Sequence, residues 1–315
     1  MDEVSVTTED RVKKIRRTVA RIKKEIPSLS TILNTYGKIF VERARCKGEL
    51  SYMMNISVSS PDHYRFSQGM TLINEGIFPL SISNDYIEKI AGRMIPVLSR
   101  AFPEIRPSLR KVRAALKKNQ LDLKSCMENM LSSHEEFIYQ TASSLGTDAS
   151  TLKFIAGHLL KPLIEKQSEK VRQTIQTLRW KKGYCPICGS PPVLSYLKGV
   201  EGQRWLVCSV CGHEWHFMRI QCPFCENEDP KKLELCFVQD RSYEWAELCN
   251  QCKRYIVNID LKKYPYEFIP EVAVAGTMYL DILAQQKGLL PMADSVWTLV
   301  PHLDVPSKRK KIKIP

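Results

Sequence analysis

From Arg11 to Trp180 apolar residues recur at helical intervals, glycine is sparse and proline falls near segment ends, so this part of the chain reads as mostly helical. Val12, Ile15, Val19, Ile22 and Ile26 step by three and four and mark one face, while Arg11, Lys13, Lys14, Arg16, Arg17, Arg21, Lys23 and Lys24 cover the rest. Pro27 ends that helix. Leu29, Ile32, Leu33, Tyr36, Ile39 and Phe40 form the next stripe, with Ser28 or Ser30 as the expected N-cap. Residues 51–80 are polar and irregular, with Pro61, Gly69, Gly76 and Pro79, and predict a long connection holding short structured pieces. Periodicity returns over 84–102, where Pro96 should kink or interrupt the helix. It continues over 109–118, 121–145 and 149–180, the last with a kink or boundary expected at Pro162. A helical bundle is the economical arrangement.

Helical spacing stops at Lys181-Lys182-Gly183. Cysteine pairs, Gly, Pro and runs such as Trp205-Leu206-Val207, Trp215-His216-Phe217 and Tyr255-Ile256-Val257 then alternate, which suits short strands joined by tight turns. From Pro270 a last helix is predicted through Val272, Val274, Met278, Tyr279, Ile282 and Leu283, closing near Lys287 with Gly288 as C-cap. The expected class is α+β. The expected organisation is a helical domain at 1–180, one cysteine module at 181–220, a second at 221–268, and a C-terminal helix with a basic tail at 269–315.

Composition narrows the class without adding chemistry. The 315 residues are 43% hydrophobic and 26% charged, which is ordinary for a globular protein and excludes collagen-like, low-complexity and wholly disordered chains. No stretch approaches the roughly 18 uninterrupted apolar residues of a membrane helix, so no membrane span is expected. The first residues lack the apolar block and small-residue cleavage site of a secretory signal, and a cytoplasmic protein is expected. In a reducing compartment paired cysteines read as metal ligands rather than disulfide partners.

Nine of the 11 cysteines fall between Cys185 and Cys252 inclusive. Cys185-Pro-Ile-Cys188 and Cys208-Ser-Val-Cys211 are two CxxC pairs separated by 19 residues; Cys222-Pro-Phe-Cys225 and Cys249-Asn-Gln-Cys252 repeat the design with 23 between. In a CxxC turn both sulfurs point to one centre while turn amides donate to them, and two such knuckles complete a tetrahedral cage of four thiolates. Each half therefore encodes one closed site for one ion, Fe or Zn, although spacing also permits pairing crossed between the halves. A full thiolate shell leaves no open position for water, which disfavours Lewis-acid hydrolysis. The similar first knuckles, with Trp205 and Trp245 shortly before the second ones, suggest a tandem duplication. His213 and His216 are alternative ligands in place of a thiolate, but a strand position beside the centre is the preferred reading. Cys46, Cys126 and Cys236 read as packing residues or as redox-active thiols.

The stretch Cys185-Pro-Ile-Cys188-Gly189-Ser190-Pro191-Pro192, then Cys208 to Cys211 leading into Glu214-Trp215-His216, then Arg219-Ile220-Gln221-Cys222, resembles the FdhE family of formate dehydrogenase accessory proteins. Glu247 to Tyr255 is similar to that family's second CxxC segment, and Val272 to Gly288 to its closing helix. The resemblance implies a helical domain carrying two tandem rubredoxin-like or zinc-ribbon modules. It implies metal ligation by Cys185, Cys188, Cys208, Cys211, Cys222, Cys225, Cys249 and Cys252. It further implies no catalytic activity of the chain's own, and a role in maturation through binding the catalytic subunit of formate dehydrogenase or a related molybdenum or tungsten oxidoreductase.

The formal charge of +13 and the acid-free basic runs Arg11 to Lys24, Arg106 to Lys118 and the C-terminal tail raise a second class, a zinc-ribbon nucleic-acid-binding protein. Solvated helix faces are the preferred account of such runs, and nucleic acid is not the favoured partner. Rubredoxin-like electron transfer is a third class. No GxGxxG follows a strand and no GxxxxGK[ST] is present, which argues against an independent nucleotide-dependent oxidoreductase. Oligomeric state is not encoded in these patterns.

Overall fold

A computed structural model describes residues 7–50, 59–78, 83–131 and 134–293. The expected basic tail and the start of the 51–80 connection lie outside the described residues. The architecture is α+β: a helical bundle, then two three-stranded modules fused into one sheet, then short closing helices.

The first stripe forms helix α1 (Thr8–Glu25), burying Val12, Ile15 and Ile22. Thr7 caps it, its hydroxyl accepting from the Asp10 amide at 3.1 Å. Helix α2 (Ser30–Glu49) follows a 3-10 turn at Pro27–Leu29 and takes Leu29 at its N-cap, with no side-chain cap bond; the 3-10 turn supplies the entry that a serine cap was expected to give. The short α3 is His63–Ser67, and α4 (Asn84–Ala101) runs through Pro96 without interruption. Next come α5 (Arg106–Lys117), α6 (Leu123–Leu131) and α7 (Glu135–Ser144). Helix α8 (Ala149–Ile175) continues through Pro162, so neither internal proline ends its helix. Pro162 is buried and Pro96 half-buried, and packing of the apolar faces of both helices outweighs one lost hydrogen bond. Helix α8 is buried along most of its length and packs on α2, α4, α6 and α7 as the bundle's central element.

The sheet begins with β1 (Pro192–Lys198), β2 (Gln203–Cys208) and β3 (Glu214–Phe217), an antiparallel meander. Strands β4 (Leu233–Phe237), β5 (Glu244–Cys249) and β6 (Arg254–Asp260) repeat it. The order is β3-β2-β1-β6-β5-β4. The halves meet where β1 runs parallel to β6, with Ser195 opposite Asn258 and Leu197 opposite Asp260. The first strand of one module thus receives the third strand of the other, so the repeats are stacked head to tail.

The helix predicted from Pro270 divides at Thr277 into α9 (Pro270–Gly276) and α10 (Met278–Gln286). Helix α9 packs on α1, α2 and β1, and α10 on β4, β5 and β6, so these helices join the sheet to the bundle. Gly288 takes a φ of 80° after α10, the left-handed conformation expected of it. A last strand, β7 (Leu290–Pro291), pairs with β6.

Arg204 ties the modules together. It is 1% exposed; its Nε donates to Ser195 Oγ at 2.9 Å, Nη1 to the Gln221 carbonyl at 3.0 Å, and Nη2 to Glu247 Oε1 at 2.9 Å on β5 of the other half. Removing one partner of a buried pair leaves the other charge without compensation. Arg204→Met is therefore expected to cost about 3–5 kcal/mol in chemical denaturation, and adding Glu247→Gln should recover part of it. Equal costs for the single and double variants would contradict this pairing.

Candidate metal centres

The CxxC turns place the sulfurs by a repeated local conformation. In the first knuckle the Cys185 amide donates to the Ser190 carbonyl at 3.0 Å and the Gly189 amide to the Cys185 carbonyl at 2.9 Å. In the third the Cys222 amide donates to Asn227 O at 2.8 Å and Glu226 N to Cys222 O at 2.9 Å. In all four knuckles the residue after the second cysteine has a positive φ: Gly189, Gly212, Glu226 and Lys253. Glycine meets this need in the first module, whereas Glu226 and Lys253 hold a conformation that disfavours side chains in the second.

The turns bring eight sulfurs into two groups. Cys185, Cys188, Cys208 and Cys211 form one, and Cys222, Cys225, Cys249 and Cys252 the other, with the ligand atoms of each group within 4.8 Å of one another. The pairing is not crossed between halves. Cys185 and Cys211 Sγ are 3.5 Å apart and Cys188 and Cys208 Sγ 3.4 Å; in the second group Cys222–Cys252 is 3.8 Å and Cys225–Cys249 3.7 Å. An ion with metal–sulfur bonds of about 2.3 Å in tetrahedral geometry needs sulfurs about 3.8 Å apart, so both groups fit such an ion.

The surrounding donors suit thiolates. The Cys211 amide donates to Cys208 Sγ at 3.4 Å. Burial pushes the Cys222 thiol up against the opposing amides of Cys225 and Phe224, whereas at Cys249 burial is outweighed by the amides of Cys252 and Gln251 and by the neighbouring thiols, which hold the thiol below its ordinary range. Hydrogen bonds from Cys185, Cys208 and Cys211 hold the Cys188 thiol well below its ordinary range, while burial drives Cys185 and Cys211 well above theirs. Four thiolates this close and this buried repel one another, so loading all four requires a cation.

The groups differ in their surroundings. All four cysteines of the first are buried, whereas Cys225 and Cys252 of the second are half-buried. The bundle covers the first. Lys161 on α8 donates to the Ser209 and Val210 carbonyls at 3.0 and 2.8 Å, holding the turn between Cys208 and Cys211. Leu72 and Ile73 donate their amides to the Pro186 and Ile187 carbonyls, each at 3.0 Å, inside the first knuckle. The connection around 70–78 is thus a cover for the first site, a role its aperiodic sequence does not signal. Lys161 was equally invisible, as one lysine on an otherwise regular helix.

Known proteins place this arrangement. Residues 184–219, which contain the whole first group, match the family model described as FdhE, central domain. A protein FdhE homolog of Aquifex aeolicus (strain VF5) is 28% identical over 221 residues, 67% of this chain and 77% of that one. A homolog of Haemophilus influenzae (strain PittEE) is 34% identical over 108 residues, and that match spans 33% of this chain and 35% of its relative. The crystal structure of the FdhE protein from Pseudomonas aeruginosa superposes with a TM-score of 0.56 over 93% of this chain and 96% of that one, at 18% identity, and shows the same fold.

The chain is similar to FdhE proteins in its first cysteine module, in sequence over two thirds of its length, and in fold. Neither histidine near Cys211 joins a sulfur group. His213 stacks on Trp215, with ring centroids 6.3 Å apart, and burial pushes its pKa down to about 4; His216 is an exposed β3 residue beside Trp205. Cys46 and Cys126 are buried in the bundle, and burial pushes each thiol up to about 11, which suits packing. Cys236 is a half-buried β4 residue outside both groups.

The two groups should load independently. Cys185→Ser and Cys222→Ser are each expected to lower bound metal by about one equivalent out of two, the content of one closed site. Elemental analysis of the purified variants checks this, and an unchanged content in either would contradict the grouping.

Proposed function

We propose that this chain is a non-enzymatic accessory protein of the FdhE family that binds the catalytic subunit of formate dehydrogenase, or of a related molybdenum or tungsten oxidoreductase, during its maturation in the cytoplasm. The observation that carries the reading is the pair of four-cysteine groups on a family-typical fold. Each group completes a metal shell with protein sulfur alone, so the eight cysteines hold two ions, Fe or Zn, without a position for substrate. When bound, the ions supply cross-links that the small hairpins need, since such modules bury too little apolar area alone.

Among the described residues no helix is long and apolar enough to cross a membrane. The second module offers a surface suited to a protein partner. Met218 and Ile220 leading into it, Phe224 of its knuckle, and Leu235 and Phe237 on the terminal strand β4 are exposed apolar side chains. The basic run of α1 is partly committed inside the molecule: Arg11 pairs with Glu271 at 3.0 Å, and Lys14 and Arg17 with Glu267 at 2.8 and 2.7 Å. That commitment weighs against α1 as a nucleic-acid face. The half-buried second sulfur group favours rubredoxin-like electron transfer as a second reading, because electron exchange needs proximity to the surface.

Affinity capture from anaerobic lysate tests the proposal. The tagged chain is expected to retain the formate dehydrogenase catalytic subunit in high salt, and Cys185→Ser to lose it. Retention of nucleic acid that falls steeply with salt, with no oxidoreductase subunit recovered, would contradict it.

A further inference from the structure

A cleft of ≈ 1220 Å³ separates α6, α7 and α8 from the first knuckle and its cover, and it meets the first sulfur group only at Cys188. It is large enough for a small-molecule ligand. Arg43 of α2 and His158 of α8 both line it, at 4% and 2% exposure. Arg43 Nη2 lies 3.0 Å from His158 Nδ1. A guanidinium has only donors, so Nδ1 must accept, and the imidazole is neutral with its proton on Nε2. Burial, followed by the charges of Arg43 and Lys161, holds the His158 pKa well below its ordinary value, in agreement with that tautomer.

Two buried donors then lack an acceptor: His158 Nε2–H and Arg43 Nε–H have no hydrogen-bond partner. No ion pair to Arg43 forms among the described residues. The nearby acids are committed elsewhere, Glu42 to Arg93 and Arg45, and Glu165 to Lys47 and Lys161. The other cations of the wall are also engaged: Lys161 with the knuckle carbonyls, Lys153 with Glu135, and Lys124 with Glu128. Glu165 acts on Arg43 only through its field, which Lys47 and Lys161 share, and a buried guanidinium with no acceptor for its Nε–H is costly. Here it faces a cleft whose remaining wall includes Met127, Ile138 and Phe154.

We propose that this cleft binds a small organic anion, whose carboxylate or phosphate head accepts from Arg43 and His158 and whose apolar body lies against Met127, Ile138 and Phe154. The geometry matches such a ligand in charge, donor placement and wall chemistry. It is independent of the accessory-protein reading, since no part of it depends on a protein partner.

Calorimetric titration of the full metal-loaded chain with octanoate, phenyl phosphate and octanol tests the site. Octanoate or phenyl phosphate is expected to bind saturably at one per chain, with octanol about tenfold weaker or more, as for loss of one charge-assisted hydrogen bond. Arg43→Met should bring anion affinity down to that of octanol while the thermal midpoint holds, because no direct ion pair is broken and the freed Glu165 keeps Lys47 and Lys161. If Arg43→Met fails to fold, His158→Phe supplies the same comparison. Equal binding of octanoate and octanol, anion binding unchanged in the variant, or no binding of either anion would overturn the proposal.

Discussion

Four cysteine side chains drawn to one point form a repulsive arrangement as thiolates unless a cation sits among them. This constraint governs the C-terminal half. Sulfurs within 4.8 Å of one another in each group, most of them buried, leave room for one thiolate stabilised by three thiols, or for four thiolates around a divalent or trivalent ion. The turns are shaped for the second state. Their amides aim at sulfur, and the strained φ values of Glu226 and Lys253 are tolerated where they complete a knuckle.

The two sites sit in one continuous sheet but have different neighbours. The first is enclosed by the bundle, through Lys161 and the 70–78 cover, so metal at this site and helical packing support each other. The second lies in the outer module of the β3-β2-β1-β6-β5-β4 order, with half-buried sulfurs and exposed apolar side chains on its knuckle and terminal strand. A division of labour follows: one centre joins the sheet to the bundle, and the other faces outward. Arg204 and the β1–β6 pairing keep the two in register.

Features encoded by neighbours in sequence were legible, and those assembled across the fold were not. The stripe of Val12, Ile15 and Ile22 and the Gly288 cap follow from local spacing, as does the grouping of cysteines once hairpins connect each pair of knuckles. Pro96 and Pro162, expected to kink or end their helices, end neither, because proline's local penalty is smaller than the burial gained along α4 and α8. The division at Thr277 was hidden because apolar positions on both sides keep a helical rhythm. The parallel β1–β6 contact, the Arg204–Glu247 pair and the Arg43–His158 pair join residues 43 to 115 positions apart, and no spacing rule reports on such distances.

X-ray absorption at the metal edge of anaerobically purified full-length protein tests the central claim most directly. The account predicts two ions per chain, each with a first shell of four sulfurs at about 2.3 Å. A shell containing nitrogen or oxygen ligands, or a single ion shared between the modules, would contradict it.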